Sequence, residues 1–138
     1  LNFNKMNETN FLEGFSENTF GKDINFEGKK MKTNNSYELL GTSINQLIKD
    51  GILKCPNYVK IDVDGIEHLI LNGATNILAD TSLKSILVEI NENFEEQYKS
   101  IFKIMDNYHF KLKSKSRAEE FYKSNMNKVY NFIFEKNE

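Results

Sequence analysis

Acidic side chains cluster where an extended run, residues 58–64, gives way to an apolar pattern of helical spacing. Asp62 and Asp64 lie at the end of this run, Glu67 follows three residues after Asp64, and Glu89 lies near the end of a second apolar run at 85–91. Carboxylates placed in this way can take a proton from a substrate or attract a cation. Because ligands bind at the carboxyl ends of strands in open α/β sheets, we expect the site here.

Each acid also has a purely structural explanation. Asp64 and Glu67 have the spacing of a reciprocal helix cap, in which both carboxylates only bind backbone N–H groups. Strand alternation places Lys60, Asp62 and Asp64 on one face of a sheet expected to be covered on both sides, so Asp62 should be buried and paired. Its partner would be Lys60 or the backbone of a neighbouring loop. Glu89 would be a solvated strand end.

We predict no metal site. The oxygens of Asp62, Asp64 and Glu67 would suit magnesium or calcium, but their spacing matches no dedicated metal-binding loop. His68 lies off the apolar helical face and has no second histidine four residues on, so we predict a solvated side chain. With Cys55 as the single cysteine, the chain has neither an internal disulfide nor a cysteine-based zinc site.

The elements that position these acids alternate between strand and helix patterns. Capping-box spacing of Ser43 and Gln46 predicts a helix that ends at Gly51, and that of Asn93 and Glu96 predicts another. Two strand–helix units in tandem imply parallel strands, beside which the last strand inserts antiparallel. The predicted fold is α/β, a partial Rossmann-like sheet with helices packed on it. Strands are predicted at 37–41, 58–64, 85–91, 110–113 and 129–134, and helices at 43–50, 66–78 and 93–105.

The length and composition of the chain limit its domain organisation and the classes of partner that it can bind. A chain of 138 residues fits one domain, in which we expect an irregular segment at 1–36, inserted between sheet strands, and the α/β domain at 37–138. A short strand is expected within the irregular segment at 1–4. The 18 basic and 20 acidic residues are interspersed, so neither a nucleic-acid footprint nor a polybasic membrane patch is present. No apolar run approaches the roughly 18 residues of a membrane span, and we expect a cytoplasmic protein.

The sequence PNYVKIDVDG at 56–65, with Glu67, then Leu71, Gly73 and Ala74, and LVEI at 87–90, resembles the C-terminal half of an FkbM-family methyltransferase. That family's pattern has a proline, an apolar strand with Lys-Ile-Asp-Val-Glu-Gly, a further acid two residues on and a Leu-x-Gly-Ala helix. The resemblance runs from about residue 37 to the C-terminus. The chain departs from it at Asp64, where Glu is usual, and at Asn45, Ile66 and Asn72.

The resemblance implies transfer of a methyl group from S-adenosylmethionine to a hydroxyl oxygen of a sugar, glycan or related small molecule. It implies that Asp62 and Asp64 hold the cofactor end and the acceptor, with Glu67 and Glu89 lining the acceptor side. Gly14, Gly21 and Gly28 are too widely spaced for the glycine-rich turn of such enzymes. We therefore expect a fragment of such an enzyme, with the first strands of the sheet outside this chain.

Two other hypotheses stay open. Asp62-Val63-Asp64-Gly65 also resembles the first motif of haloacid-dehalogenase-type phosphatases, which would use the first aspartate as nucleophile and require magnesium. Alternatively, the chain is a truncated α/β domain without catalytic activity. Its open sheet edge would then favour self-association.

Overall fold

The computed structural model describes residues 2–8, 18–30, 35–117 and 128–136. Its strands are β1 (Asn2–Glu8), β2 (Asn18–Phe20), β3 (Asn35–Gly41), β4 (Tyr58–Ile61), β5 (Ser85–Asn91), β6 (Phe110–Ser116) and β7 (Val129–Lys136). Its helices are α1 (Ile44–Lys49), α2 (Glu67–Asn72), α3 (Thr75–Ala79) and α4 (Glu95–Asn107). None of these helices combines the length and the apolar character needed to span a membrane.

The main sheet has four strands in the order β4-β5-β7-β6. β4 and β5 run parallel, with Ile61 opposite Val88. β7 runs antiparallel to both of its neighbours, β5 and β6. The predicted α/β class, the parallel pair and the antiparallel last strand are therefore confirmed.

The hydrophobic core lies on one face of this sheet. Alternate residues of β5 are fully buried, because side chains at every second position of a strand point to the same side. Phe132 and Phe134 of β7 continue this layer, and residues of α2, α3 and α4 pack against it. On the opposite face Tyr58 is 74% exposed and Leu87 and Ile133 are half-buried. Among the described residues, helices thus cover one face of the sheet.

The predicted helix at 66–78 is instead two short helices, α2 and α3. The break lies at Gly73, whose carbonyl accepts the backbone N–H of Asn45 (3.0 Å) instead of one from the next helical turn. Asn45 also accepts the Asn76 N–H through Oδ1 (2.8 Å) and donates through Nδ2 to Thr75 (2.7 Å). The start of α1 therefore supplies the partners that a continuous helix would have provided itself.

Of the caps predicted at Ser43 and Asn93, the first is confirmed. The Ser43 hydroxyl accepts the Gln46 N–H at 3.1 Å, and α1 ends before Gly51, whose φ is 69°. The prediction of a cap at Asn93 is wrong, because α4 begins at Glu95 and the residue before it, Phe94, makes no side-chain cap bond.

The N-terminal segment contains strands. The expected short strand at 1–4 is confirmed for residues 2–4, where β1 begins, and the expectation of an irregular segment is wrong for 5–8 and 18–20. β1 pairs antiparallel with β2 and with β3, forming a separate three-stranded sheet in the order β2-β1-β3. The main partner of β1 lies more than thirty residues along the chain, and local periodicity does not show such a pairing. Insertion of 1–36 between strands of the main sheet stays a prediction.

A loop at residues 24–30 lies against the point where β4 ends. The Asn25 side chain accepts the N–H groups of Glu27 and Lys29 and so holds this loop closed. Gly65 approaches it so closely that a Cβ atom there would lie 2.8 Å from the Asn25 carbonyl oxygen. Since Gly65 also has a φ of 112°, only glycine fits this contact without distortion.

We therefore expect Gly65→Ala to lower the free energy of unfolding by about 3 kcal/mol, through backbone strain and overlap with Asn25. Gly51→Ala is the matched control, because Gly51 has a positive φ but open space around its Cβ position. Gly51→Ala should lower the free energy of unfolding by only about 1 kcal/mol. Urea denaturation of both variants measures the difference, and equal costs would show that the loop does not press on Gly65.

Candidate functional site

The four predicted acids lie around the carboxyl ends of β4 and β5, but in different environments. Asp62 is on the open face of the sheet, with 38% of its side chain exposed, and pairs with Lys60 at 2.8 Å. The expected Lys60 partner is confirmed, and the expected burial is wrong because the helices cover the other face. The hydrogen bond and charge of Asp62 raise the pKa of Lys60.

Glu89 lies beside Asp62 on this open face. Because Ile61 pairs with Val88 in parallel strands, the next residues along, Asp62 and Glu89, are neighbours across the sheet. Burial, then the charges of Asp62, Glu67 and Asp64 and a hydrogen bond with Asp62, raise the pKa of Glu89 to about 7. Glu89 is therefore half-buried and titrates near neutral pH, unlike a solvated strand end.

Asp64 does not cap α2. The residue before the helix is Ile66, which makes no side-chain cap bond, and Asp64 has a left-handed backbone with a φ of 57°. Few non-glycine residues adopt this conformation, and those that do cluster at functional sites. Asp64 lines a cavity of about 620 Å³ between the end of β2, the start of α1 and α2.

Glu67 is buried, with 1% of its surface exposed, and holds the loop that precedes it. Its carboxylate accepts the N–H of Val63 (3.0 Å) and that of Gly65 (3.1 and 3.3 Å). Burial raises the pKa of Glu67, while the hydrogen bonds from Val63 and Gly65 act in the opposite direction. The reciprocal-cap prediction is wrong because this carboxylate bonds the two residues on either side of Asp64.

Gln97 and Asn91 belong to the same network and were not predicted. The Gln97 amide nitrogen donates to Glu67, and its oxygen accepts the Asn91 N–H at 3.1 Å. The Asn91 side chain donates to the Phe26 carbonyl (3.1 Å), which connects the loop at 24–30. Gln97 falls within the apolar stripe of α4, between Phe94 and Ile101, and a polar residue in such a stripe was the available signal.

His68 is also buried, at 5% exposure, although we predicted a solvated side chain. Its ring packs edge-on against Phe94, with centroids 5.7 Å apart. Nδ1 is buried and has no hydrogen-bond partner in the described part of the chain, and burial lowers the pKa of the ring. The neutral imidazole therefore serves as packing under the loop that carries the acids.

A family model described as "Methyltransferase FkbM domain" matches residues 4–112. The match includes the N-terminal sheet, which the sequence resemblance had left out, and ends within β6. It favours methyl transfer over the phosphatase hypothesis. Searches among curated proteins and among solved structures gave no match.

Exchanging the side chains of Glu67 and Gln97 tests which of the two donates the hydrogen bond between them and which accepts it. In Glu67→Gln the new amide would face the Gln97 amide nitrogen, leaving a buried donor unpaired at a cost of about 1–3 kcal/mol. Gln97→Glu would instead bring two carboxylates together in a buried site. In the double variant the amide at position 67 donates to the carboxylate at position 97, which still accepts the Asn91 N–H. The remaining oxygen at position 67 keeps the Val63 N–H and the longer Gly65 bond, so only the 3.1 Å bond from Gly65 is lost.

Urea denaturation should therefore give two destabilised single variants and a double variant that recovers part of the loss, with a coupling of about 1–3 kcal/mol. Glu95→Gln, an exposed change in the first turn of α4, is the control and should have little effect. If the losses of unfolding free energy in the two single variants simply add in the double variant, the assignment of Gln97 as donor and Glu67 as acceptor is contradicted.

Proposed function

Because the chain belongs to the FkbM methyltransferase family, we propose that it takes part in methyl transfer from S-adenosylmethionine to a hydroxyl oxygen. The acceptor would be a sugar, glycan or related small molecule. The family match supports methyl transfer, while the acceptor and the roles of individual residues are part of the proposal.

The observation that carries the proposal is the pair formed by Asp62 and Glu89. The pair lies on an open face at the carboxyl ends of two parallel strands, where a substrate can reach it. A hydroxyl that becomes methylated must lose its proton, and a base is most effective when its pKa lies near the working pH. With a pKa of about 7, Glu89 has this property.

The residues at this end of the sheet suit the cofactor by charge. Asp62, Asp64 and Glu67 all act on Glu89 through their negative charges, so the region favours a cation such as a sulfonium. Asp62 and Asp64, which are the more accessible of these acids, would hold the cofactor end and the acceptor. When bound, S-adenosylmethionine supplies the methyl group.

The chain's own residues then have distinct parts. Glu89 accepts the proton of the acceptor's hydroxyl group while the oxygen of that hydroxyl group gains the methyl group. Lys60 holds Asp62 in place through their ion pair. Glu67, with almost no exposed surface, acts through the backbone of the loop and is a positioning residue in this proposal.

We expect methyl transfer to rise as the pH passes about 7 and to level off above it, because Glu89 must be unprotonated. The measurement uses the chain joined to the strands that carry the family's glycine-rich turn, with methyl-labelled S-adenosylmethionine and a panel of monosaccharides and alkyl glycosides. Glu89→Gln should lower the rate by about 10²–10⁴-fold. Asp62→Asn should move the midpoint to lower pH, because Asp62 raises the pKa of Glu89. Glu135→Gln, at the far end of the same face, is the control.

Stability provides a readout that needs no substrate. The pKa of Glu89 is higher in the folded chain than its ordinary value of 4.5, so the folded state retains the proton where the unfolded state has lost it. The free energy of unfolding should therefore fall as the pH rises from about 4.5 through about 7. Glu89→Gln should remove the part of this decline that Glu89 causes, while the part due to Glu67, whose pKa is also raised, remains. If Glu89→Gln leaves the pH dependence of the free energy of unfolding unchanged and no methyl transfer is detected, the non-catalytic hypothesis is favoured.

A further inference from the structure

The cavity beside Asp64 lies where the loop after β4 meets α2. Its volume, about 620 Å³, is in the range of pockets that enclose a small molecule. Side chains of Val63, Ile66, Leu69 and Ile70 line the side formed by the loop and α2, and Phe20 and Ile44 contribute further apolar surface. Carbon atoms therefore form most of its wall.

The polar groups of the cavity are few. Asp64, Lys22, Thr42 and Ser43 contribute them, and the last three are exposed residues. Gly73 completes the wall, where a Cβ atom would lie 3.2 Å from that of Ser43. Pockets with mostly apolar walls and a few polar groups gain affinity from apolar surface and orientation from the polar contacts.

Asp64 connects this cavity with the acidic pair. Asp64 is one of the residues that line the cavity, and its negative charge also contributes to the raised pKa of Glu89. The two N–H groups on either side of Asp64 are held by Glu67, which fixes the left-handed conformation of the intervening residue. Asp64 is therefore the residue that the cavity shares with the acids around Glu89.

We propose that the cavity binds the aliphatic part of an amphiphilic alcohol, whose hydroxyl-bearing part contacts Asp64. The inference rests on the proposed function, because it names the class of acceptor for that reaction. It distinguishes acceptors that carry an aliphatic group from free sugars, for which these apolar walls offer few hydrogen-bond partners.

Alkyl β-glucosides with chains of one to eight carbons are the probes, used below the concentrations at which they form micelles. Calorimetric titration of the chain without cofactor should show affinity rising about three- to fourfold for each added methylene until the cavity is full. Asp64→Asn should weaken all members by a similar factor and leave the gain per methylene unchanged.

Two variants reduce the cavity in different ways. Thr42→Trp fills it from an exposed position, and Leu69→Phe enlarges a wall residue of α2. Both should abolish the gain for the longer chains, and thermal unfolding identifies a variant that fails to fold. Ile52→Trp is the control, since Ile52 is 73% exposed and does not line the cavity.

Three results would overturn the proposal. Affinity could be independent of chain length, or the gain could persist in both filled variants, or S-adenosylmethionine could compete with octyl glucoside and so assign the cavity to the cofactor. The two proposals can fail independently. If binding depends on chain length but no methyl transfer occurs, the proposal for the cavity stands and the proposed function is wrong. If methyl and octyl glucoside are methylated with equal efficiency, the proposed function stands and the proposal for the cavity is wrong.

Discussion

The buried carboxylate of Glu67 is the interaction on which the shape of the site depends. Its oxygens accept N–H groups from Val63 and Gly65, and the residue between them, Asp64, has a left-handed backbone. This conformation costs about 1–2 kcal/mol in an ordinary residue. Charge-assisted hydrogen bonds from both neighbours offset that cost. The Gln97 amide adds a third donor, so each of these hydrogen bonds is one that the oxygens of Glu67 accept.

The same carboxylate affects the chemistry of its neighbour. Burial raises the pKa of both carboxyl groups; hydrogen-bond donors oppose this rise at Glu67, whereas the charges of Asp62, Asp64 and Glu67 add to it at Glu89. Burial and like charges both disfavour ionisation, and the pKa of Glu89 rises to about 7 in consequence. One acid thus has a structural role that helps to set the titration of another. The environments of the two side chains differ far more than their sequence contexts.

Sequence periodicity predicted the parts of the fold that depend on the core. β5 spans Ser85–Asn91 as predicted, because three of its residues on one face are fully buried. The exposure of Asp62 was not predictable in the same way, since alternation separates the two faces of a strand without showing what covers them. The role of Glu67 was missed because a cap and a loop-holding carboxylate share the same spacing. Only the backbone angle of Asp64 distinguishes them.

That backbone angle also explains how two acids from one short motif serve two surfaces. In a regular strand, residues two apart lie on the same face, so Asp62 and Asp64 were expected together. β4 ends at Ile61, and the positive φ values of Asp64 and Gly65 turn the chain. Asp62 stays on the open face with Glu89, while Asp64 lines the cavity beside α2. The close fit of Gly65 against Asn25 keeps this turn in place, so the N-terminal segment helps to determine on which surface each acid lies.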